Sequence, residues 1–266
     1  VIGGGHAGGM VSILLRKRGF EGAITIIGEE HLAPYERPQL SKSYLLDEIE
    51  FNRLQLRSEE FYKAHQIDLV LGSKVRKIDR KKHTINLEDG RSLDYSKIII
   101  ATGSHCKRFN IEHSTKIHYL RTKAESDKIK SLINESKSVI IIGSGFIGLE
   151  VAAVSRKRKL KTSILELTDR VMSRSVSKDI SNFFYEKHTS KGVNISFNTN
   201  ISHIDTEDNM VNIISSNENI MSSDFVIVGI GAKPNINLAK ESGLLCEDGI
   251  LVNENCVTSD ENIFAI

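Results

Sequence analysis

The chain has 266 residues, 39% of them hydrophobic and 26% charged, enough for one large or two ordinary globular domains. A formal net charge of +2 is too near neutral to argue for a nucleic-acid or anionic-membrane partner, and no apolar run approaches the roughly 18 residues of a spanning helix. Cys106, Cys246 and Cys256 fall in no paired spacing, which gives no sign of a metal site or a redox disulfide and, with no export leader visible, fits a reduced, cytoplasmic chain.

The chain starts at Val1-Ile2 and meets Gly3-Gly4-Gly5-His6-Ala7-Gly8 at once, a G-x-G-x-x-G turn lacking most of its leading strand. The last residues, Asn262–Ile266, are an apolar run without a turn or cap, so both ends read as cut. After the turn a helix carries Met10, Val11, Leu14 and Leu15, with Gly19 as its C-cap. Ile24–Ile27 is the next strand. Glu29, just past its end, lies where a carboxylate can accept both hydroxyls of a ribose; Glu30 is the alternative. Leu32–Leu46 is irregular, broken by Pro34 and Pro38, and on the residues alone its cations Arg37 and Lys42 read as surface charges. Ile67–Leu71, Lys74–Asp79, Thr84–Leu87 and Ser92–Tyr95 read as short strands joined by polar turns. Lys97–Ala101 is a buried strand that runs into Ala101-Thr102-Gly103.

Val139–Glu150, VIIIGSGFIGLE, is the strongest signal in the chain. A β-branched strand runs into Gly143-Ser144-Gly145-Phe146-Ile147-Gly148 and then into a helix, the context that gives the motif its meaning. The first glycine permits the tight turn, the second lets a pyrophosphate approach the backbone, and the third packs helix on strand. Free N–H groups at the helix N-terminus then hold the phosphate charge. A basic run, Arg156–Lys161, follows; it reads as a solvated helix end, with docking of an acidic partner as the sharper alternative. Thr162–Leu165 ends at Glu166. Val193–Phe197, Ile201–Asp205, Val211–Ile214 and Ile220–Met221 are again short strands, closed by Phe225–Gly229.

The second half therefore repeats the plan of the first, and Val75-Arg-Lys-Ile78-Asp79 and Ile201-Ser-His-Ile204-Asp205 are close analogues. The expected fold is α/β, with two Rossmann-like nucleotide-binding domains, each a parallel sheet with a β-meander insert. Two dinucleotide sites follow. A flavin and a nicotinamide are the common pairing, because one passes a hydride to the other; the pattern does not say which copy holds which.

The Gly3–Gly8 turn, Tyr35-Glu-Arg-Pro-Gln-Leu-Ser-Lys42, Ala101-Thr-Gly103, His118-Tyr-Leu-Arg121, Gly143–Glu150 and Val228-Gly-Ile-Gly-Ala232 together resemble the FAD-dependent pyridine-nucleotide reductases. The resemblance covers the whole chain. Within the family it is to the ferredoxin and rubredoxin reductase branch, most of all the reductase components of aromatic-ring dioxygenases such as those for 3-phenylpropionate and cinnamate. It assigns FAD to the first copy and NAD(P)H to the second. Gly3, Gly5, His6 (through its N–H), Ala7 and Gly8 would cradle the FAD pyrophosphate and Glu29 its ribose. Arg37 and Lys42 would lie along the flavin, Val75 would meet adenine through its backbone, and Ala101, Thr102, Gly103 and Arg121 would complete that site. Gly143, Gly145, Phe146, Ile147, Gly148, Gly229 and Gly231 belong to the NAD site.

The resemblance also implies that Glu150 pairs with Lys42 beside the flavin, orienting the ring and stabilising charge as hydride arrives; these two are the catalytic candidates. Glu166 would accept the 2′- and 3′-hydroxyls of NAD and repel a 2′-phosphate, with Arg170 nearby as the one competing cation. Disulfide-reducing relatives carry a redox cysteine in or near the loop after the first ribose acid. Leu32–Leu46 has none, so electrons are expected to leave singly to an external acceptor. The implied enzyme takes electrons from NADH through FAD to a small ferredoxin that serves an aromatic-ring dioxygenase. A rubredoxin reductase is the near alternative, and an NADH-sensing flavoprotein of the apoptosis-inducing-factor type is the alternative of another class. The domains are expected at 1–112 (FAD, first segment), 113–231 (NAD) and 232–266 (FAD, return), with the family's C-terminal interface domain missing. The oligomeric state is left open.

Overall fold

The computed structural model describes residues 1–109, 114–207, 210–216 and 218–266. Among these, the α-helices are α1 (His6–Lys17), α2 (Glu59–Ala64), α3 (Lys123–Glu135), α4 (Phe146–Lys157), α5 (Lys178–Thr189) and α6 (Asn237–Glu241). The chain divides into two units: Val1–Glu36, Phe51–His105 and Lys233–Ile266 form the first, Arg37–Glu50 and Cys106–Ala232 the second.

In the first unit, Ile24–Ile27 pairs in parallel with Ile67–Val70, and Ile98–Ile100 with Ile263–Ala265. Ile2 bridges both Ile27 and Ile100, which joins the pairs into one parallel layer. The isoleucine runs make this layer because β-branched side chains suit strands covered on both faces. Alternation divides them: Ile24 and Ile26 pack with Ile13 of α1 and Tyr62 of α2, while Ile27 and Ile100 pack with Ile78, Ile85 and Leu87. Those last three belong to an antiparallel meander of Val75–Asp79, Thr84–Leu87 and Ser92–Asp94.

The second unit repeats this design. Its sheet is ordered Val193–Ser196, Lys161–Leu165, Ser138–Ile142, Phe225–Val228, Ile117–His118, and every pairing is parallel. A meander of Ile201–Glu207, Met210–Ser215 and Ile220–Ser223 buries Ile204, Val211 and Ile213 against Ile140, Ile142, Val226 and Val228. The repeat extends to irregularities: the first meander strand shifts register between Val75 and Lys77 in one unit and between Ile201 and His203 in the other. The source of the edge strand differs. The first unit takes it from the C-terminal segment, the second from Ile117–His118, ahead of its own glycine turn.

Arg37–Glu50 groups with the second unit, although the chain on either side of it, to Glu36 and from Phe51, belongs to the first. Its partners explain this. Ser126 Oγ donates to the Leu40 carbonyl at 2.8 Å, and the Tyr44 hydroxyl donates to Asp127 Oδ1 at 2.6 Å. Lys130 and Arg158 both reach Asp47, at 2.9 and 3.3 Å. The expected boundary at 112/113 lies outside the described residues. No helix among the described residues is long and apolar enough to cross a membrane.

Candidate functional site: two glycine cradles and a carboxylate pair

Each unit carries one strand–glycine turn–helix. In the first, Gly3 has φ +120°, and a Cβ there would collide with the Ala101 carbonyl oxygen; one at Gly8 would collide with the Gly3 carbonyl oxygen. Only glycine permits this conformation and this approach. Gly5 is different: a Cβ there would meet nothing within 4 Å. Gly5 is also the N-cap of α1, whose first turn holds no acidic residue, and His6 and Ala7 beside it are exposed. The open space therefore lies where unpaired N–H groups and the positive end of a helix dipole gather.

Around this cradle, Glu29 is exposed at the end of Ile24–Ile27 and makes a loose ion pair with Lys74 at 3.5 Å. Glu30, the alternative, accepts the Tyr35 hydroxyl at 2.7 Å. Val75 is buried at the start of the meander. The Ala101-Thr102-Gly103 turn is held by a residue that sequence reasoning missed, Asn235. Its Nδ2 donates to the Thr102 carbonyl at 2.7 Å and its own carbonyl accepts Thr102 Oγ1 at 2.9 Å. Asn235 N–H donates to the Gly103 carbonyl at 2.9 Å.

The second cradle has the same build. Gly143 has φ +98° and a Cβ there would lie 2.6 Å from the Gly229 carbonyl oxygen; one at Gly148 would collide with the Gly143 carbonyl oxygen; one at Gly145 would meet nothing within 4 Å. Gly145 is the N-cap of α4, again without an acid in the first turn. Phe146 and Ile147 are exposed large hydrophobics, and Gly231 is exposed with positive φ. Glu166 reaches back to the turn. One oxygen accepts the Ser144 N–H at 2.8 Å and the Ser144 hydroxyl; the other accepts the Thr168 N–H and hydroxyl, both at 2.9 Å. Burial works against its charge, but these hydrogen bonds outweigh burial and hold the carboxyl below the usual range. Arg170 spends its guanidinium on the Val176 and Ser173 carbonyls, at 3.0 and 2.6 Å.

Arg37, Lys42, Arg121 and Glu150 all lie in the second unit. Arg37 Nη1 donates to the Arg121 carbonyl at 2.7 Å. Lys42 Nζ lies 2.9 Å from Glu150 Oε1, so the structure brings the two catalytic candidates together across 108 positions of sequence. Ser41, missed in the sequence, donates its hydroxyl to the other oxygen of Glu150. The basic run turns onto the protein itself. Arg156 donates to the Lys191 and Leu160 carbonyls, Lys157 pairs with Glu48 at 3.6 Å and Arg158 with Asp47, which is the behaviour of a helix end. Cys106 is half-buried with its thiol on the Leu120 carbonyl at 3.6 Å, and burial pushes that thiol up, away from reactivity. Among the described residues no group of three His, Cys, Asp or Glu side chains could hold a metal ion.

Two dinucleotide cradles on duplicated α/β units define a two-nucleotide oxidoreductase scaffold. The sequence profile of the pyridine nucleotide-disulphide oxidoreductase family matches residues 1–266, and the chain belongs to this family. It is 38% identical over 269 residues to rhodocoxin reductase of Rhodococcus erythropolis, covering all of this chain and 63% of that protein. It is 35% identical over 268 residues to the 3-phenylpropionate/cinnamic acid dioxygenase ferredoxin–NAD(+) reductase component of Photorhabdus laumondii subsp. laumondii, covering all of this chain and 68% of that one. Among solved structures, the ferredoxin reductase for the CYP199A2 system from Rhodopseudomonas palustris superposes with a TM-score of 0.96 at 35% identity, over all of this chain and 66% of its own. The chain thus spans about two thirds of the length of these relatives. The branch named by the motifs is the branch these relatives come from.

FAD and NAD(H) are the cofactors of this family, and the residues present fit them. Both turns leave the second glycine facing open space at a helix N-terminus, and each is followed by a carboxylate just past the next strand, Glu29 and Glu166.

Proposed function

We propose that this chain is the nucleotide-binding part of an NADH-dependent flavoprotein reductase, which passes electrons from NADH through FAD to a small iron–sulfur ferredoxin serving an aromatic-ring dioxygenase. The observation that carries the reading is the pair of open cradles at Gly5 and Gly145, joined in one chain to a carboxylate held ionised at Glu166. When both are bound, NADH supplies a hydride and the flavin accepts it and releases electrons one at a time.

The chain's own residues bind and orient. Gly3, Gly5, His6, Ala7 and Gly8 hold the FAD pyrophosphate through backbone N–H groups, with Glu29 on its ribose and Val75, Ala101, Thr102 and Gly103 around it. Gly143, Gly145, Phe146, Ile147 and Gly148 hold NAD, bordered by Gly229 and Gly231. Glu166 accepts the ribose hydroxyls in exchange for the Ser144 and Thr168 hydroxyls it holds and repels a 2′-phosphate, while two N–H groups of the nearby Arg170 are already given to carbonyls. Arg37, Arg121 and the Lys42–Glu150 pair would serve the flavin, the ion pair orienting the ring. The FAD cradle belongs to the first unit and the NAD cradle to the second. Three free thiols suit the cytoplasm.

The test is an anaerobic NADH titration of the flavin spectrum, with NADPH as control. Bleaching by about one NADH per flavin, with NADPH far weaker, is expected. Uptake of a second equivalent would point to a redox disulfide instead, and a protein that takes up no flavin would end the reductase reading.

A further inference from the structure

The 3-10 turn Pro38–Ser41 ends by offering two consecutive side chains to one carboxylate. Lys42 Nζ takes Glu150 Oε1 at 2.9 Å and donates also to the Pro38 carbonyl at 3.0 Å. Ser41 Oγ donates to Glu150 Oε2. The two partners differ in how firmly they hold. The Lys42 side chain is 43% exposed and that of Glu150 23%, and water screens an ion pair this open, so it restrains little. Ser41 is 1% exposed. Its position is set by the turn, which is pinned through the buried Leu40, whose carbonyl accepts Ser126 Oγ. The Pro38 carbonyl, 3.4 Å from Ser41 Oγ, is the weaker acceptor for its single proton. A hydrogen bond to a carboxylate is roughly twice as strong as one between neutral groups.

We infer that Ser41 is the positioning residue of the Lys42–Glu150 pair: by holding Oε2 from a buried, preset site, it fixes the carboxylate and leaves Oε1 as the oxygen that Lys42 takes. Two of the three ammonium donors of Lys42 are then spent on Glu150 and Pro38, which sets the direction of the third. Without the Ser41 hydroxyl the Glu150 carboxylate keeps, among the described residues, its half-exposed partner Lys42 and turns between rotamers, and Lys42 turns with it. Ser41 acts through Glu150 alone. This inference rests on the reductase reading for its effect on rate.

The experiment is rapid-mixing reduction of the flavin-loaded protein by NADH in the wild type, Ser41→Ala, Ser41→Thr, Glu150→Gln and the double variant Ser41→Ala/Glu150→Gln. In Ser41→Ala the limiting reduction rate is expected to fall about tenfold, with the NADH concentration for half-maximal rate changed by less than about twofold. Ser41→Thr, which keeps the hydroxyl, is expected to retain a rate within about threefold of wild type. Adding Ser41→Ala to Glu150→Gln is expected to cost less than about twofold, since the partner through which it acts has gone. Losses that multiply in the double variant, or a Ser41→Ala rate equal to wild type, would overturn the inference. If the wild type itself is not reduced by NADH, the reductase reading fails instead. The same four-member cycle measured by chemical denaturation then decides whether Ser41 and Glu150 are coupled.

Discussion

The two glycines that differ most in their surroundings give the sharpest test of the second cradle. Gly145 has φ −71° and ψ −175°, which alanine adopts without strain, and a Cβ there meets nothing within 4 Å. Alanine is a poorer N-cap than glycine, at a cost on the order of 1 kcal/mol or less. Lower entropy of the unfolded chain returns about 0.4–1 kcal/mol, so Gly145→Ala should leave stability within about 1 kcal/mol of wild type. Its methyl group, however, fills the space at the end of α4 that a pyrophosphate needs. NADH affinity should fall at least about tenfold, about 1.4 kcal/mol. Gly148→Ala should do the opposite damage. Its Cβ collides with the Gly143 carbonyl oxygen and touches Ile141 Cγ2 at 3.4 Å, so helix and strand must separate, at about 3 kcal/mol. Denaturation midpoints together with equilibrium NADH titration of both variants separate the effects. Unchanged NADH affinity in Gly145→Ala would refute the assignment of that space to the nucleotide.

Other residues carry further expectations. Glu166 is held below the usual carboxylate range, so it stabilises the fold above its unfolded value near pH 4.5, and that contribution is lost as pH falls through its lower folded value. Glu166→Gln, which turns an amide N–H₂ toward the donors of Ser144 or Thr168, should cost about 1–3 kcal/mol at neutral pH, weaken NADH and narrow the preference over NADPH in paired titrations. His118 is 7% exposed, lies edge-on to Phe225 at 6.2 Å, and its Nε2 has no hydrogen-bond partner among the described residues. Burial, with Lys128 adding to it, lowers its pKa from 6.5 to about 4. Between those values the unfolded chain takes a proton that the folded chain refuses. Stability should therefore decline as pH falls from about 6.5 to about 4, by at most about 3 kcal/mol, and denaturation of His118→Leu across this range should show the slope removed. Asn235→Ala frees the Thr102 carbonyl and should cost about 1–3 kcal/mol with loss of bound flavin on gel filtration; full flavin retention would argue that the turn does not need its clamp.

Much of this protein was legible in its residues, because glycine turns and β-branched runs act locally. Gly3–Gly8 and Gly143–Gly148 announce their turns since no other residue fits beside Ala101 or Gly229, and isoleucine runs declare buried strands wherever they occur. The likeness of Val75–Asp79 to Ile201–Asp205 exposed the duplication, down to a shared bulge that residue types do not encode by themselves. What the sequence could not decide were partnerships across distance. Glu166 and Ser144 are 22 positions apart, Ser41 and Glu150 109, and Asn235 clamps Thr102 across 133. Nor does a linear order place Arg37–Glu50 in the second unit. Tertiary structure decides that, because the segment buries Leu40, Tyr44 and Leu45 and settles where Ser126, Asp127, Lys130 and Arg158 satisfy its carbonyls and charges.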